Sequence, residues 1–325
     1  MSKKTKYILV TGGAGYIGGH MAGLLLENGY RVVVLDNLTT GVRAWVPKCA
    51  EFMQGDLCSL EDCRKVFKKF PISAVMNFAA KLVVPESVTM PHVYYANNVG
   101  GASNLLKAMV EHRVRQFVFS STAAVYGNPK KVPVMETAPI APLSPYGESK
   151  AMVEQILRDC AKAGLIDFIV LRYFNVAGWD TRRYWPIKGR PVPTHLISCA
   201  MRALHGQGKL IVCGNDYNTP DGTGIRDFID VRDLVQAHLL ALKALDKGIK
   251  NEVFNLGTSK GFSVMDVIKT AADVAGKPVP YQIGSRRPGD ATTVIASSAK
   301  AKKVLGWKPQ YDLEAILKSE WERKL

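Results

Sequence analysis

A buried strand, a glycine turn and a helix follow one another near the start of the chain, and this combination constrains the fold most strongly. The strand is the apolar run Tyr7–Thr11, and Gly12, Gly15 and Gly18 follow it before an amphipathic stretch. Glycines in such a turn allow the backbone to approach a pyrophosphate, and the helix N-terminus supplies amide donors and partial positive charge. The spacing is therefore typical of a parallel sheet that binds a dinucleotide.

Short β-rich runs alternate with amphipathic helical patterns through the first half of the chain. Predicted strands are 7–11, 31–36, 50–54, 74–77, 116–120 and 168–173, and predicted helices are 18–28, 60–70, 94–111 and 146–162. Several strands are apolar on both faces, as expected of a parallel sheet covered by helices on both sides. We therefore predict an α/β protein with a Rossmann-type doubly wound parallel sheet at 1–178, to which 228–256 returns. A smaller C-terminal substrate-binding domain is predicted at 179–325.

Composition limits the partners that the chain can have. The net charge is +15, but the basic residues are spread over helical surface positions, without a zinc-finger spacing or an aromatic RNA-binding segment. No apolar stretch approaches the length of a membrane span, and the six cysteines show no Cys-x-x-Cys spacing. We therefore expect a cytoplasmic protein with reduced cysteines and without nucleic-acid, membrane or metal partners.

The acidic residue at the end of the second strand predicts the type of dinucleotide. Asp36 lies 18 residues after Gly18, where a carboxylate can bind the adenosine ribose hydroxyls. A carboxylate there repels a 2′-phosphate, so NAD is favoured over NADP, although Arg43 lies nearby in the sequence. Further residues expected at the cofactor, at the glycine turn and at later strand ends, are Tyr16, Ile17, Asn37, Asp56, Leu57, Phe78, Ala79 and Ala80.

A tyrosine and a lysine four residues apart are the candidate acid/base pair. Tyr146 and Lys150 lie on one face of a predicted helix, for which Ser144 is a suitable N-cap and Pro145 a suitable first residue. We expect Tyr146 at an exposed helix start. A nearby ammonium favours the phenolate, so Lys150 is expected to lower the pKa of Tyr146 toward neutrality.

Taken in order, these motifs and the run from Ser120 to Gly127 resemble the extended short-chain dehydrogenase/reductase superfamily. The second half narrows the resemblance to the UDP-glucose 4-epimerases. The segments that carry it are Leu171-Arg172-Tyr173-Phe174-Asn175-Val176-Ala177-Gly178, Thr194-His195-Leu196-Ile197, Asp216-Tyr217-Asn218-Thr219-Pro220-Asp221-Gly222-Thr223-Gly224-Ile225-Arg226-Asp227-Phe228, Arg286-Arg287-Pro288-Gly289-Asp290 and Leu305-Gly306-Trp307. The resemblance covers nearly the whole chain.

The resemblance implies reversible inversion at C4 of a UDP-hexose, with tightly bound NAD as a prosthetic oxidant. Tyr146 is then the acid/base at the 4-hydroxyl, Lys150 binds the nicotinamide ribose, and Thr122 hydrogen-bonds the 4-oxygen. Asn97 and Phe174 match cofactor-binding positions. The residues that match positions around the UDP part are Asn175, His195, Leu196, Arg226, Arg287 and Asp290.

Three positions bear on the substrate and on departures from the family pattern. Lys81 stands one place earlier than the lysine of many relatives, so its cofactor contact is not carried over. Cys213 replaces an aromatic residue that is common beside the uracil. Val294 stands where a bulky tyrosine narrows the sugar pocket in some family members. We therefore expect N-acetylhexosamines to be accepted together with hexoses.

The resemblance also implies a homodimer, in which the helices at 94–111 and 146–162 pair with those of a second copy. Met152, Ile156 and Cys160 form a stripe suited to that interface. Three alternatives remain. An epimerase of UDP-pentose or UDP-glucuronate fits the same motifs. A 4,6-dehydratase is disfavoured because no acid follows Thr122, and a non-catalytic NAD sensor is disfavoured because Tyr146 and Lys150 are both present.

Overall fold

The computed structural model describes residues 6–182, 195–286 and 290–323. Its strands are β1 (Tyr7–Thr11), β2 (Arg31–Asp36), β3 (Glu51–Gln54), β4 (Ile72–Asn77), β5 (Gln116–Thr122), β6 (Asp167–Tyr173), β7 (Asn175–Ala177), β8 (Leu210–Cys213), β9 (Ile225–Arg226), β10 (Phe228–Asp230), β11 (Glu252–Leu256), β12 (Phe262–Ser263), β13 (Tyr281–Gly284) and β14 (Thr293–Val294). The six strands predicted in the first half are confirmed, with ends that differ by at most two residues.

The α-helices in the same residues are α1 (Tyr16–Glu27), α2 (Leu60–Lys69), α3 (Val84–Thr89), α4 (Pro91–Tyr94), α5 (Gly101–Glu111), α6 (Pro145–Lys162), α7 (Leu196–Leu204), α8 (Val231–Asp246), α9 (Val264–Ala275), α10 (Ala299–Leu305) and α11 (Leu313–Glu322). The helix predicted at 94–111 is confirmed as helical backbone throughout, but it is not a single α-helix. A π-helical segment, Tyr95–Gly100, separates α4 from α5 there, and such segments are frequent at functional sites.

A seven-stranded parallel sheet forms the centre of the described structure. Its strand order is β11-β6-β5-β4-β1-β2-β3, so the order reverses between β1 and β4, as in a doubly wound fold. The predicted fold class is confirmed. Ligands of such sheets bind at the carboxyl ends of the strands beside this reversal.

The sheet is covered on both faces, which explains its apolar strands. Side chains of α1 and α8 form the core on one face, and side chains of α2, α5 and α6 form the core on the other. The segment 228–256 contributes α8 and the edge strand β11, which pairs with β6. Ala301, Leu305 and Trp307 also pack in the first of these cores, although they lie in the predicted C-terminal domain. The boundary after residue 178 stays a prediction.

The C-terminal half builds a further apolar core from α7, β8, α9 and α11. Three short strands, in the order β12-β9-β14, lie outside the large sheet, and β10 pairs with β7 just beyond the end of β6. This pairing places Asn175 beside Phe228 and brings the C-terminal half to the carboxyl ends of the large sheet. Within the described ranges, none of the helices combines the length and the apolar character that a membrane span needs.

Candidate active site

The glycine turn leaves no room for side chains at Gly12 and Gly18. Gly12 has φ of +69°, and a Cβ there would lie 2.6 Å from the backbone nitrogen of Ala79. A Cβ at Gly18 would lie 2.2 Å from the carbonyl oxygen of Gly12. Helix α1 begins directly after Gly15 and has no acidic residue in its first turn. The turn is therefore a bare backbone cradle at a helix N-terminus, which fits the pyrophosphate of a dinucleotide.

Asp36 is held by this turn at the end of β2. Its carboxylate accepts hydrogen bonds from the backbone amides of Ala14 (3.0 Å) and Leu38 (2.8 Å). The side chain is thereby fixed beside the glycine turn, where it can also accept from two ribose hydroxyls. The fixed negative charge disfavours a 2′-phosphate at the same place.

Asn37 and Asp56 meet at the ends of β2 and β3. The Asn37 amide donates to the Asp56 carboxylate at 3.0 Å, and the backbone amide of Cys58 donates to the same carboxylate at 2.8 Å. Burial alone raises the pKa of Asp56, but these hydrogen bonds outweigh it and lower the pKa overall. A second fixed carboxylate thus lies just after the neighbouring strand β3.

The π-helical segment carries Asn97 and Asn98 to the end of β4. Asn98 accepts a hydrogen bond from the Lys81 amide (2.9 Å) and donates to the Lys81 carbonyl (3.0 Å) and to the Ser149 hydroxyl (3.0 Å). Asn97 donates to the Asn98 side chain at 2.9 Å. Asn98 thereby joins Lys81 to α6. It was not predicted from the sequence, although its place in the doublet Asn97-Asn98 was a signal for it.

Tyr146 and Thr122 come together where α6 begins and β5 ends. The Ser144 side chain caps α6 by accepting from the Gly147 amide at 3.2 Å, and Pro145 is the first helical residue, as predicted. Tyr146 hydrogen-bonds with Thr122. The expected exposure of Tyr146 is wrong, because the side chain is half-buried. Burial raises the pKa of Tyr146, and the Thr122 hydrogen bond acts in the lowering direction.

Lys150 lies one turn further along α6 and is buried. Its ammonium donates to the carbonyl oxygen of Ser120 at 2.9 Å and lies 4.9 Å from the ring centre of Phe119. Burial lowers the pKa of Lys150 to about 8, against an opposing attraction from Glu154. The expectation that Lys150 brings the pKa of Tyr146 below its usual value is therefore wrong in this structure. The pKa of Tyr146 is raised, and its lowering partner is Thr122.

On the C-terminal side, Arg226 and Asp290 form an ion pair. Arg226 ends β9, and Val294 of β14 lies beside it in the register of the two strands. Val294 also packs against the apolar cluster that contains Phe174, Val125 and Ala296. Phe174 lies between β6 and β7, so this cluster connects the strand ends of the large sheet with the C-terminal half.

The remaining predicted residues occupy separate places around this region. The backbone amide of Asn175 donates to the Asp227 carbonyl at 3.0 Å. His195 is the N-cap of α7, Leu196 is its first residue and packs on the C-terminal core, and Cys213 pairs with Gly284 at the end of β8. Arg287 lies outside the described residues.

Tyr217 is a further residue that the sequence analysis did not single out. Its ring lies 4.0 Å from the Arg286 guanidinium, and its hydroxyl is buried without a hydrogen-bond partner among the described residues. Nearby charges on Asp290, Arg226 and Arg286 act on its pKa, which burial raises. Tyr217 therefore belongs to the same cluster as Arg226 and Asp290. Its place within the long Thr-Pro-Asp-Gly-containing segment was the signal that could have found it.

The fold and these residues define a dinucleotide-dependent enzyme of the extended short-chain dehydrogenase/reductase type. The family described as "NAD dependent epimerase/dehydratase family" matches residues 8–257, and the chain belongs to this family. The resemblance stated from the sequence is therefore confirmed.

Particular relatives lie within one group of that family. The UDP-glucose 4-epimerase of Streptococcus mutans serotype c is 47% identical over 318 residues, which cover 97% of this chain and 95% of the relative. The structure of UDP-glucose 4-epimerase from Brucella ovis in complex with NAD matches with a TM-score of 0.93 and 39% identity, over 98% of each chain. That of the Bifidobacterium longum enzyme with NAD+ and UDP matches with a TM-score of 0.91 and 37% identity, over 97% of each chain.

Proposed function

We propose that this chain is a UDP-glucose 4-epimerase, which inverts C4 of UDP-hexoses reversibly with tightly bound NAD. The observation that carries the proposal is the meeting of Tyr146, Thr122 and Lys150 at the carboxyl end of the parallel sheet. Membership of the epimerase/dehydratase family and the nearly full-length likeness to UDP-glucose 4-epimerases support it.

The residues around the glycine turn fit NAD. The bare backbone at Gly12, Gly15 and Gly18 would receive the pyrophosphate, together with the first residues of α1, Tyr16 and Ile17. Asp36 would accept from the adenosine ribose. The other residues proposed to hold the cofactor are Asn37, Asp56, Leu57, Phe78, Ala79, Ala80, Asn97, Lys150 and Phe174. When bound, NAD supplies a hydride acceptor for C4 of the sugar and a hydride donor for the return step.

Tyr146 would take the proton of the sugar 4-hydroxyl and later give it back. Burial opposes the phenolate form, and the hydrogen bond with Thr122 stabilises it. Thr122 would also hydrogen-bond the sugar 4-oxygen, which holds that oxygen beside the phenol. Lys150 keeps a fixed position through the Ser120 carbonyl, so its positive charge stays near the reacting groups while it binds the nicotinamide ribose.

The UDP part would be bound by the C-terminal half. Arg226 and Arg287 are suited to the diphosphate, because a guanidinium donates two parallel hydrogen bonds to phosphate oxygens. Asp290, which pairs with Arg226, can accept from ribose hydroxyls. Asn175, His195, Leu196 and Cys213 complete the proposed set. Binding the nucleotide firmly and the hexose loosely allows the oxidised sugar to present its other face.

Val294 supports activity on N-acetylhexosamines as well. It is half-buried, packs against the cluster that contains Phe174, and stands beside Arg226, which is proposed to bind the diphosphate. Its side chain is much smaller than a tyrosine, which leaves space for an acetamido group at C2 of the sugar. Size-based selection of this kind discriminates by about 1–3 kcal/mol, so both substrate types are expected to react.

The surface of α6 supports a homodimer. Val153 and Leu157 face the core, whereas Met152 is exposed and Ile156 and Cys160 are partly buried on the neighbouring face. Ile156 and Cys160 also pack against that core, so the surface of the predicted stripe that a second copy could cover is mainly that of Met152. The six cysteines are all free, which supports a reducing, cytoplasmic location.

A label at C4 of the substrate tests the proposed reaction directly. The purified chain would be incubated with UDP-[4-²H]galactose and the product followed by NMR. We expect UDP-glucose that retains deuterium at C4, because the hydride returns within one active site. Unchanged UDP-galactose, or product that has lost the label to water, contradicts the proposal. UDP-xylose and UDP-glucuronate tested in parallel separate it from epimerases of other UDP-sugars.

A further inference from the structure

A buried ion pair lies directly behind the candidate acid/base pair. Glu154 follows Lys150 by one turn of α6, and only 1% of its side chain is exposed. Arg172 of β6 pairs with it, with 3% of its side chain exposed, and its Nε donates to the Glu154 carboxylate at 2.9 Å. Neither residue was singled out from the sequence for a role, and neither belongs to the residues proposed to contact cofactor or substrate.

The Glu154 carboxylate is also hydrogen-bonded to the end of β5, which carries Ser120 and Thr122. The hydroxyl of Ser121 donates to the Glu154 carboxylate at 2.6 Å. Ser121 stands between Ser120, whose carbonyl accepts the Lys150 ammonium, and Thr122, which hydrogen-bonds Tyr146. One carboxylate therefore fixes the short piece of β5 on which both Lys150 and Tyr146 depend.

Arg172 extends this network away from α6. It donates to the hydroxyl of Tyr126 at 2.8 Å, and Tyr126 donates in turn to the side chain of Asn255 at 2.7 Å. Tyr126 and Asn255 are both buried, and Asn255 belongs to the edge strand β11. The hydrogen bonds thus connect α6, β5, β6 and β11 into one rigid frame, because each buried polar group has a partner.

Two carboxylates belong to this frame: Glu154 pairs with Arg172, and Glu136 accepts a hydrogen bond from the Asn255 backbone amide at 2.8 Å. Lys150 and Arg172 are both buried cations, and the Glu154 charge attracts each of them. The tyrosines and the histidine that lie near Lys150, Arg172 or Ser120 are neutral in their usual states. Tyr146 lies on the same helix as Lys150, Tyr173 lies on β6, and Tyr126 lies in the turn after β5. Burial lowers the pKa of His238, on α8, to about 4. Arg158 approaches the same carboxylate from the surface, at 3.5 Å.

We propose that Glu154 is a positioning residue: it serves as the common counter-ion of Lys150 and Arg172, and it holds the end of β5 through Ser121. The inference rests on the proposed function for the roles of Lys150 and Tyr146. Its physical part, the coupling of Glu154 to the charge of Lys150, can be tested without turnover.

Three substitutions separate charge from hydrogen bonding. Glu154→Gln removes the charge and keeps the shape, Ser121→Ala removes one hydrogen bond and keeps the charge, and Arg158→Gln removes only the surface partner. For Glu154→Gln in the NAD-loaded enzyme we expect kcat to fall about 10- to 100-fold with little change in KM, because misplacement of reacting groups costs that much. The alkaline limb of its pH–rate profile should move to lower pH, because Lys150 loses its proton more easily. Ser121→Ala should lower kcat without moving that limb, and Arg158→Gln should behave as wild type.

Thermal unfolding from pH 6 to 9 provides the readout that needs no activity. Glu154→Gln should unfold at lower temperature than wild type at pH 6, and the difference should shrink above pH 8, where Lys150 is neutral. A part of the difference should remain, because Arg172 stays charged at every pH tested. For Ser121→Ala and Arg158→Gln the difference from wild type should not depend on pH.

The outcomes distinguish this inference from the proposed function. If the wild type does not turn over UDP-galactose, the proposed function fails, and the unfolding series still decides whether Glu154 balances Lys150. A pH-independent unfolding difference and an unmoved alkaline limb for Glu154→Gln overturn the inference. If Glu154→Gln does not fold, Glu154→Asp replaces it. Glu154→Asp keeps the charge but shortens the side chain. It should therefore lower kcat and leave the alkaline limb in place, and a moved limb overturns the inference.

Discussion

The ammonium group of Lys150 donates a hydrogen bond to the backbone carbonyl of Ser120 at 2.9 Å, and this contact ties α6 to the end of β5. Both residues are buried, so the lysine cannot move far from this position. Its pKa is lowered to about 8 because burial disfavours the charged form. The charge that the proposed reaction requires is therefore held in place, but it is lost at moderately alkaline pH.

The first prediction concerns this loss of charge. Wild-type activity should fall as pH rises through about 8, since the folded-state pKa of Lys150 lies there. Lys150→Arg keeps a positive charge at every accessible pH, so its alkaline decline should disappear even though its activity is lower. Initial rates on UDP-galactose from pH 6 to 10 measure this. A variant that declines at the same alkaline pH as wild type would show that Lys150 is not the titrating group.

The second prediction concerns acid stability and His238. Burial lowers the pKa of His238 to about 4, while its nitrogens contact the Leu234 carbonyl at 2.9 Å and the Ser120 hydroxyl at 3.2 Å. A histidine with a lowered folded-state pKa contributes stability that is present above its unfolded pKa of about 6.5 and is lost as pH falls toward 4. The loss amounts to as much as about 3 kcal/mol.

His238→Asn should remove this part of the acid sensitivity. Urea unfolding at pH 7.5 and at pH 5 measures it, because the free energy of unfolding should fall less in the variant than in wild type. His92→Asn, at an exposed histidine of α4, is the matched control, and its free energy of unfolding should fall as much as that of wild type. Equal acid losses in wild type and in His238→Asn would contradict the assignment.

How much of the fold could be predicted depended on burial. In β1 every residue is buried, and in β2 and β6 all but one or two are, so each forms a continuous apolar run that can be recognised in the sequence. Strand ends were less predictable. Ile72 and Thr122 belong to strands because they pair with Tyr7 and Tyr173, and pairing between distant segments leaves no local signal.

The site was predictable where its residues form motifs and not where they depend on packing. Ser144, Pro145 and Tyr146 could be placed at a helix start because capping is a local property. The direction of the Tyr146 pKa was wrong because residue spacing gives no information on burial. The Glu154–Arg172 pair was missed because glutamate in a helix is usually exposed and its partner lies on another strand.

The third prediction concerns substrate range. Wild type should turn over UDP-N-acetylglucosamine as well as UDP-glucose, and Val294→Tyr should lose most of the first activity while keeping the second. The expected change in selectivity corresponds to about 1–3 kcal/mol. Rates on both substrates measure it. Val304→Tyr, at an exposed position of α10, is the control for added bulk away from the site. A wild type that rejects the N-acetyl form would show that Val294 does not set the space beside C2.

The fourth prediction concerns assembly through α6. Met152→Glu introduces a charge at an exposed position of the stripe and should convert a dimer into monomers, because burying an unpaired carboxylate is unfavourable. Light scattering at micromolar concentration measures the mass. Met135→Glu, which is exposed but lies outside the stripe, should leave the dimer intact. A wild type that already has the monomer mass would contradict the proposed interface.

The fifth prediction concerns Tyr146, on which the proposed chemistry depends. Tyr146→Phe keeps the ring and removes the hydroxyl that Thr122 contacts, so the fold and the bound NAD should be retained. Turnover should fall about 10²- to 10⁴-fold, the usual effect of losing a general acid/base. Tyr281→Phe, at an exposed tyrosine of β13, should be as active as wild type.

The most direct test is one NMR measurement of UDP-galactose conversion by wild type and by Tyr146→Phe, at equal protein concentration and equal NAD content. Wild type should reach a mixture of UDP-galactose and UDP-glucose, while the variant should leave UDP-galactose almost unchanged over the same time. Conversion by Tyr146→Phe at nearly the wild-type rate would contradict the assignment of Tyr146 as the acid/base of a C4 epimerase.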